Sequence, residues 1–247
     1  MSPLGEATFL LCDADGTLFP SEEPAYEASA GVTNRFLAEL GADRSYSPRE
    51  LQVMTNGKNF RASAGQLAAG YGRELARDDL ERWVTEEKDV VTAHLRGVLR
   101  PDPAVAAPLQ ALAGRFPLAA VTSSARSRLD ACLEVTGLAP LFDPVRRYSA
   151  EDSLPVPTSK PDPAVYAFAM QDLATTPDEA VAVEDSLNGA LSATAAGLRT
   201  VGIVAFVAPE DREERAVGLR AAGCVEVVAS WAELAALLGA DLPSHAG

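Results

Sequence analysis

Short apolar runs recur along the chain, and the first of them ends directly before Asp13. A continuous apolar run of this length is typical of a parallel strand buried on both faces, because a half-exposed antiparallel strand would alternate with polar residues. We therefore predict a strand at each run. The runs are Ala7–Cys12, Leu118–Val121, Ala180–Val183, Thr200–Val204 and Val225–Val228.

Amphipathic stretches with helical spacing lie between these runs and after the last one. Strands that alternate with helices predict an α/β fold with a doubly wound parallel sheet and right-handed crossovers. In such sheets, ligands bind beyond the carboxyl ends of the strands. The predicted helices are Ala104–Ala113, Ser127–Thr136, Ala164–Leu173, Leu187–Ala196, Arg212–Ala222 and Trp231–Leu238.

One segment interrupts the alternation, because residues 21–97 contain helical patterns and no good strand. A block of this size between the first and second strands predicts an inserted α-helical domain. We expect a core domain formed by residues 1–20 and 98–247, with residues 21–97 as a helical cap. The helical patterns are Tyr26–Leu40, Pro48–Met54, Phe60–Ala69 and Arg77–Arg96.

The composition excludes several classes of function. With 47% hydrophobic and 23% charged residues, the 247-residue chain is typical of a soluble globular protein. Its formal net charge of -14 argues against binding to nucleic acid, which requires a basic surface. Its apolar runs are too short to span a membrane. A site for anions must therefore supply its own positive charge, from a metal ion or from a few Lys or Arg residues.

The three cysteines, Cys12, Cys132 and Cys224, are widely spaced and lie in apolar stretches. This pattern indicates buried free thiols in a reducing compartment. The N-terminus shows no basic region followed by an apolar stretch, so we expect no signal peptide and a cytoplasmic location. The sequence leaves the oligomeric state open.

The segment Asp13–Thr17 reads Asp-Ala-Asp-Gly-Thr and follows the first apolar run. Two carboxylates two residues apart at a strand end project from the same side, and Gly16 permits a tight turn. A calcium loop of the EF-hand type would need a further ligand before its glycine and a late glutamate. A polar turn that arose by chance is the other alternative.

Four segments, in order along the chain, carry a resemblance to a known family. Asp13–Thr17 resembles the first motif of the haloacid dehalogenase superfamily. Val121–Ser124, a strand ending in a hydroxyl residue, is similar to the second motif. Ser159–Pro163 is similar to the third, and Val183–Ser186, with its acidic pair, to the fourth. The helical insert resembles the cap of the first subfamily, which includes β-phosphoglucomutases and phosphoglycolate phosphatases.

The resemblance implies a phosphohydrolase with an aspartyl-phosphate intermediate. Asp13 would attack phosphorus as the nucleophile. Asp15 would protonate the leaving alkoxide and later deprotonate the hydrolytic water. The phosphoryl oxygens would be bound by Thr122, by the backbone N–H of Ser123 and by the ammonium group of Lys160.

The resemblance also implies Mg²⁺ as the cofactor. This ion prefers hard oxygen ligands in octahedral geometry. Asp13 and Asp185 would supply carboxylates and Asp15 its backbone carbonyl, while Glu184 would bind directly or through water. The ion would keep Asp13 ionised at its buried strand end.

Several residues refine or limit the resemblance. Asp15 is present, whereas dehalogenases of the superfamily lack the second aspartate. The mutases carry a histidine soon after the first motif, but the first histidine here is His94. Phe19 lies where many relatives have an acidic residue, and Ser159 where a glycine is usual. A small phosphomonoester, such as a sugar or polyol phosphate, is the expected substrate, and the sequence leaves phosphoglycolate and nucleotide monophosphates open as well. A phosphomutase and a catalytically inactive binding protein are the alternatives.

The loop before the third helical pattern of the cap carries two cations, Lys58 and Arg61. We hypothesise that both contact the leaving group of the substrate. The alternative is a solvated loop that only connects two helices. Gly57-Lys58 is not a phosphate-binding P-loop, because no glycine lies at the required upstream position.

Overall fold

The computed structural model describes residues 7–55 and 58–240. The ends of the predicted core (1–6 and 241–247) and two residues of the predicted cap (56 and 57) lie outside the described residues. Six parallel strands form one sheet with the order β3-β2-β1-β4-β5-β6. They are β1 Phe9–Cys12, β2 Leu118–Thr122, β3 Arg147–Ser149, β4 Ala180–Glu184, β5 Arg199–Ile203 and β6 Glu226–Val228.

Helices connect these strands, so the predicted α/β fold with a doubly wound parallel sheet is confirmed. The first helix begins at Glu22 rather than at Tyr26. Two glutamates in its first turn favour that start, because they lie at the positive end of the helix dipole. The helices are α1 Glu22–Glu39, α2 Pro48–Thr55, α3 Phe60–Gly70, α4 Arg77–Val98, α5 Pro103–Ala113, α6 Arg126–Val135, α7 Ala164–Asp172, α8 Leu187–Ala195, α9 Arg212–Ala221 and α10 Trp231–Leu237.

Both faces of the sheet are buried, as the continuous apolar runs predicted. Leu10 and Cys12 of β1 belong to a core on one face, together with residues of α5, α6 and α10. Leu11 points to the other face and belongs to a second core with residues of α7 and α8. Strand β1 lies between β2 and β4, so it is central in the sheet.

Helices α1 to α4 lie between β1 and α5 in the chain and share a hydrophobic core of their own. Phe36 and Trp83 meet edge to face there, with ring centroids 5.7 Å apart. The described part of this segment contains no strand. No helix in the described ranges combines the length and the apolarity needed to cross a bilayer.

Candidate active site

Three chain segments that are far apart in sequence meet at the carboxyl edge of the sheet. Asp13 follows β1, Thr122 ends β2 and Asp185 follows β4. Because β1 lies between β2 and β4, these three strand ends are neighbours. The backbone N–H of Asp13 also donates to the carbonyl of Val183 at 2.9 Å, which ties the first and fourth motifs together.

The turn after β1 requires a glycine. Gly16 has a φ of +81°, in the left-handed region that residues other than glycine rarely adopt. A Cβ atom at this position would also overlap the carboxylate of Asp185. The Thr17 hydroxyl donates to Asp185 Oδ1 at 3.2 Å. The Asp-Gly-Thr turn therefore holds Asp185, the aspartate of the fourth motif, in place.

Lys160 connects the buried carboxylates. Its Nζ lies 2.6 Å from Asp13 Oδ1, 2.6 Å from Glu184 Oε1 and 2.9 Å from the carbonyl of Val121. The Tyr166 hydroxyl donates to the same Glu184 oxygen at 2.6 Å. Burial alone would lower the pKa of Lys160, but the carboxylates outweigh burial and raise it. The lysine is therefore protonated and fixed beside Asp13.

Negative charge exceeds positive charge in this cluster. Burial raises the pKa of Asp13, and Lys160 opposes that effect. Burial, and next Asp13, raise the pKa of Glu184 to about 7. The pKa of Asp185 is raised well above its usual value by burial and then by Asp13. Asp13 and Glu184 share the ammonium group of Lys160, and the guanidinium group of Arg215 lies 3.7 Å from Asp185, so three buried carboxylates face two cations and leave a deficit of positive charge.

A small divalent cation fits this deficit. Asp13, Glu184 and Asp185 each offer an oxygen atom, and these atoms lie within 4.8 Å of one another. Such oxygen donors suit a hard cation. Glu184 Oε1 already accepts hydrogen bonds from Lys160 and Tyr166, and Glu184 Oε2 is buried without a hydrogen-bond partner among the residues that the structure describes. Asp13 and Asp185 are therefore the carboxylates better placed for direct contact with a cation.

Asp15 has a different environment from Asp13. Its Oδ1 accepts a hydrogen bond from Ser21 at 2.5 Å. Its Oδ2 accepts from Ser124 at 2.8 Å and lies 3.4 Å from the Thr122 hydroxyl. Hydroxyl groups hold this carboxylate, and no ammonium or guanidinium group among the described residues forms an ion pair with it. Two aspartates only two residues apart are thus suited to different chemistry.

The predicted phosphate-binding residues lie around the same point. Ser123 Oγ accepts a hydrogen bond from the backbone N–H of Lys160 at 3.1 Å, which links the second and third motifs. Thr122, Ser123 and Lys160 line one cleft together with Asp13 and Asp15. The seven core residues predicted from the sequence, Thr122 among them, therefore come together at one edge of the sheet. Their roles remain predictions.

The two predicted cap residues also line the cleft. Lys58 Nζ lies 3.3 Å from Gln66 Oε1. The guanidinium group of Arg61 contacts Glu81 of α4 at 2.7 Å and Glu151, in the loop after β3, also at 2.7 Å. Because two carboxylates already hold Arg61, it joins the helical segment to the sheet. Contact of either residue with a leaving group remains a prediction.

Several residues of the site were not predicted. Ser124 was within the second motif, but its contact with Asp15 depends on the turn that follows β2. Tyr166 lies on α7, where its spacing indicates only an apolar helix face. Glu87 of α4 and Arg128 of α6 form an ion pair of 2.6 Å in the cleft, although 41 residues separate them. No local signal in the sequence predicts such a pair.

Comparisons with known proteins agree with this geometry. Residues 9–197 match a family model described as haloacid dehalogenase-like hydrolase. Protein CbbY of Cereibacter sphaeroides is 31% identical over 236 residues, which cover 94% of this chain and 96% of that protein. A structure of a CbbY point variant from Rhodobacter sphaeroides, in complex with xylulose-(1,5)bisphosphate, is 27% identical with a TM-score of 0.71. The match covers 96% of this chain and 99% of the other.

A third similar protein is a HAD family hydrolase from Deinococcus radiodurans R1, solved with bound phosphate and sodium. It is 29% identical to this chain, and the TM-score is 0.63. The match covers 96% of this chain and 97% of the other. The family match includes all four segments that form the cluster of aspartates, hydroxyl groups and Lys160.

Proposed function

The chain belongs to the haloacid dehalogenase-like hydrolases, and from this premise we propose that it is a Mg²⁺-dependent phosphatase for a small phosphomonoester. One observation carries the proposal: the Asp13 carboxylate lies in the buried carboxylate cluster beside Lys160, whereas the Asp15 carboxylate lies outside that cluster among hydroxyl groups. This difference separates a nucleophile from an acid–base group. The reaction is hydrolysis of a phosphate ester.

Asp13 attacks phosphorus, and the bond between phosphorus and the ester oxygen breaks. Asp15 gives a proton to the leaving alkoxide, so the alcohol departs and an aspartyl-phosphate remains on Asp13. Asp15 then accepts a proton from a water molecule that attacks the same phosphorus, which releases inorganic phosphate and restores Asp13. Lys160, Thr122 and the backbone N–H of Ser123 hold the phosphoryl oxygens throughout.

Asp13, Asp185 and the backbone carbonyl of Asp15 would hold the metal ion. Glu184 would contribute through water while it fixes Lys160. Bound Mg²⁺ supplies positive charge to the phosphoryl group and lowers the repulsion between that group and Asp13. The excess of buried negative charge in the cluster supports a divalent cation at this position.

We assign residues 21–97 as the cap and residues 1–20 and 98–247 as the core. The cleft is lined from both sides, by residues of α1 to α4 and by the strand ends. A closed cap excludes water from the nucleophile and limits access to small molecules. Lys58 and Arg61 lie at the cap side of this cleft, which supports a role near the leaving group.

The same cleft supports a small phosphorylated molecule as the substrate. A sugar or polyol phosphate fits a site built for a small anion, and similar proteins have been solved with xylulose-(1,5)bisphosphate or phosphate. A cytoplasmic location is supported by the three cysteines, which are all buried and free. A reducing compartment keeps such thiols unpaired.

The test is release of inorganic phosphate from a panel of metabolite phosphomonoesters, with and without Mg²⁺. We expect Mg²⁺-dependent release by the native chain and a loss of about a thousandfold or more in Asp13→Asn. Asp89→Asn, which removes an exposed aspartate of α4, is the matched control and should keep full activity. Isomerised product without phosphate release would indicate a mutase instead, and ligand binding without turnover would indicate a binding protein.

A further inference from the structure

Glu87 and Arg128 form a buried ion pair that joins the helical segment to the core. Arg128 Nη2 donates to Glu87 Oε2 at 2.6 Å, and the side chains are only 12% and 9% exposed. Both residues line the cleft that contains Asp13 and Asp15. Burial lowers the pKa of Arg128, but Glu87 and Asp15 together outweigh burial and raise it. A substrate bound at the two aspartates therefore shares one cleft with this pair.

The pair retains capacity for further hydrogen bonds. A carboxylate can accept about four hydrogen bonds and a guanidinium group can donate five. Only one hydrogen bond joins Arg128 to Glu87, so each group retains sites for further bonds. Arg128 Nε is buried and has no hydrogen-bond partner among the described residues. A hydroxyl group both donates and accepts, so it can satisfy an acceptor on Glu87 and a donor on Arg128 together.

The positive charges inside the cleft are already compensated. Lys160 and Arg61 are each held between two carboxylates, as described above. Arg128 is neutralised by Glu87. A second phosphate group would bring about two more negative charges into this region. A buried charge without a partner is strongly unfavourable, so the interior of the cleft opposes a second phosphate.

Two further lysines line the cleft, Lys58 and Lys88. Lys58 is exposed and its Nζ lies 3.3 Å from the neutral side chain of Gln66, whereas Lys88 is half-buried. Water and salt screen charges at such positions. These lysines therefore offer less to a second phosphate than a buried cation would.

We propose that Glu87 and Arg128 bind hydroxyl groups on an uncharged carbon skeleton, so that the enzyme prefers sugar or polyol monophosphates to bisphosphates. This inference rests on the phosphatase function proposed above. It distinguishes the chain from the CbbY variant solved with xylulose-(1,5)bisphosphate. Glu87 and Arg128 are then specificity-determining residues that contact the part of the substrate that does not react.

The experiment compares kcat/KM for a monophosphate and a bisphosphate of the same sugar. We expect the native enzyme to prefer the monophosphate by about tenfold or more. Glu87→Gln leaves the charge of Arg128 uncompensated, so kcat/KM for the monophosphate should fall about tenfold. The ratio of kcat/KM for the monophosphate to that for the bisphosphate should also decrease, or fall below one. Glu86→Gln is the matched control, because Glu86 pairs with Arg35 and does not line the cleft.

The possible failures are distinct. No phosphate release from either compound would refute the proposed function and this inference with it. A native preference for the bisphosphate, or an equal loss on both compounds in Glu87→Gln, would refute only the inference. If Glu87→Gln does not fold, Arg128→Lys replaces it as the test, because lysine keeps the positive charge but lacks the planar set of donors. In this variant, kcat/KM for the monophosphate should fall about tenfold, and the preference for the monophosphate over the bisphosphate should remain. Unchanged activity in Arg128→Lys would overturn the assignment.

Discussion

Replacing Asp185 by asparagine should make the metal-free protein more stable while it abolishes the response to Mg²⁺. Asp185 is 3% exposed, and its carboxylate shares a small region with those of Asp13 and Glu184. Asparagine has nearly the same shape and keeps an oxygen that can accept the Thr17 hydrogen bond. The substitution therefore removes one negative charge with little change in packing.

The size of the effect follows from the spacing of the charges. Two unit charges 4.8 Å apart repel by about 3.5 kcal/mol at an effective dielectric constant of about 20. Protonation relieves part of this repulsion, and Arg215, 3.7 Å from Asp185 Oδ2, offsets another part. We expect Asp185→Asn to raise the free energy of unfolding by about 1 to 3 kcal/mol without metal. For a chain of this size, each kcal/mol corresponds to about 2 to 4 °C in Tm.

The assay is thermal and urea unfolding in EDTA and in excess Mg²⁺. The native protein should gain about 2.7 kcal/mol when free Mg²⁺ is about a hundred times its Kd, and Asp185→Asn should gain almost none. Asp89→Asn, at an exposed site on α4, should change stability by less than about 0.5 kcal/mol and keep the Mg²⁺ response. A variant less stable than the native protein in EDTA would refute the argument from charge repulsion.

Three further outcomes are expected. Gly16→Ala should cost about 1 to 3 kcal/mol and most of the phosphatase activity, because of its positive φ and the overlap with Asp185; native-like urea unfolding would contradict this. Glu151→Gln removes one of the two carboxylates that hold Arg61, so KM should rise several-fold with a smaller change in kcat. An unchanged KM would show that the position of Arg61 does not affect substrate binding. Iodoacetamide should label none of the three buried cysteines in the native protein and all three in urea, as counted by mass spectrometry.

Five strands could be predicted from apolar runs: β1, β2, β4 and β5 because they are buried on both faces, and the shorter, more exposed β6 from the run Val225–Val228. Strand β3 could not, since its residues Arg147–Ser149 are mostly polar. The structure explains how they are buried: the Arg147 guanidinium donates to the carbonyl of Phe142 at 2.7 Å and contacts Asp130 at 2.8 Å. A buried arginine satisfied by tertiary contacts gives no hydrophobic signal in the sequence.

The core of the site was predictable for a related reason. Parallel strands place their carboxyl ends at one edge, so the residues that follow them must meet. Glu87, Arg128 and Tyr166 lie on helices, where the contact depends on how each helix packs against its neighbours. Helical spacing indicates a buried face but not its partner. The residues that select the substrate are therefore less predictable from sequence than those that react with it.

The position of the helical segment has a consequence for folding. Strands β1 and β2 are neighbours in the sheet, yet about a hundred residues separate them in the chain. The entropy of closing a loop grows only with the logarithm of its length, so each doubling costs about 0.6 kcal/mol. Helices within the segment can form from local contacts, whereas the pairing of β1 with β2 and β4 requires distant ones. Assembly of the sheet should therefore be the slow step, whereas a change in the length of this segment should by itself alter the entropy of loop closure little.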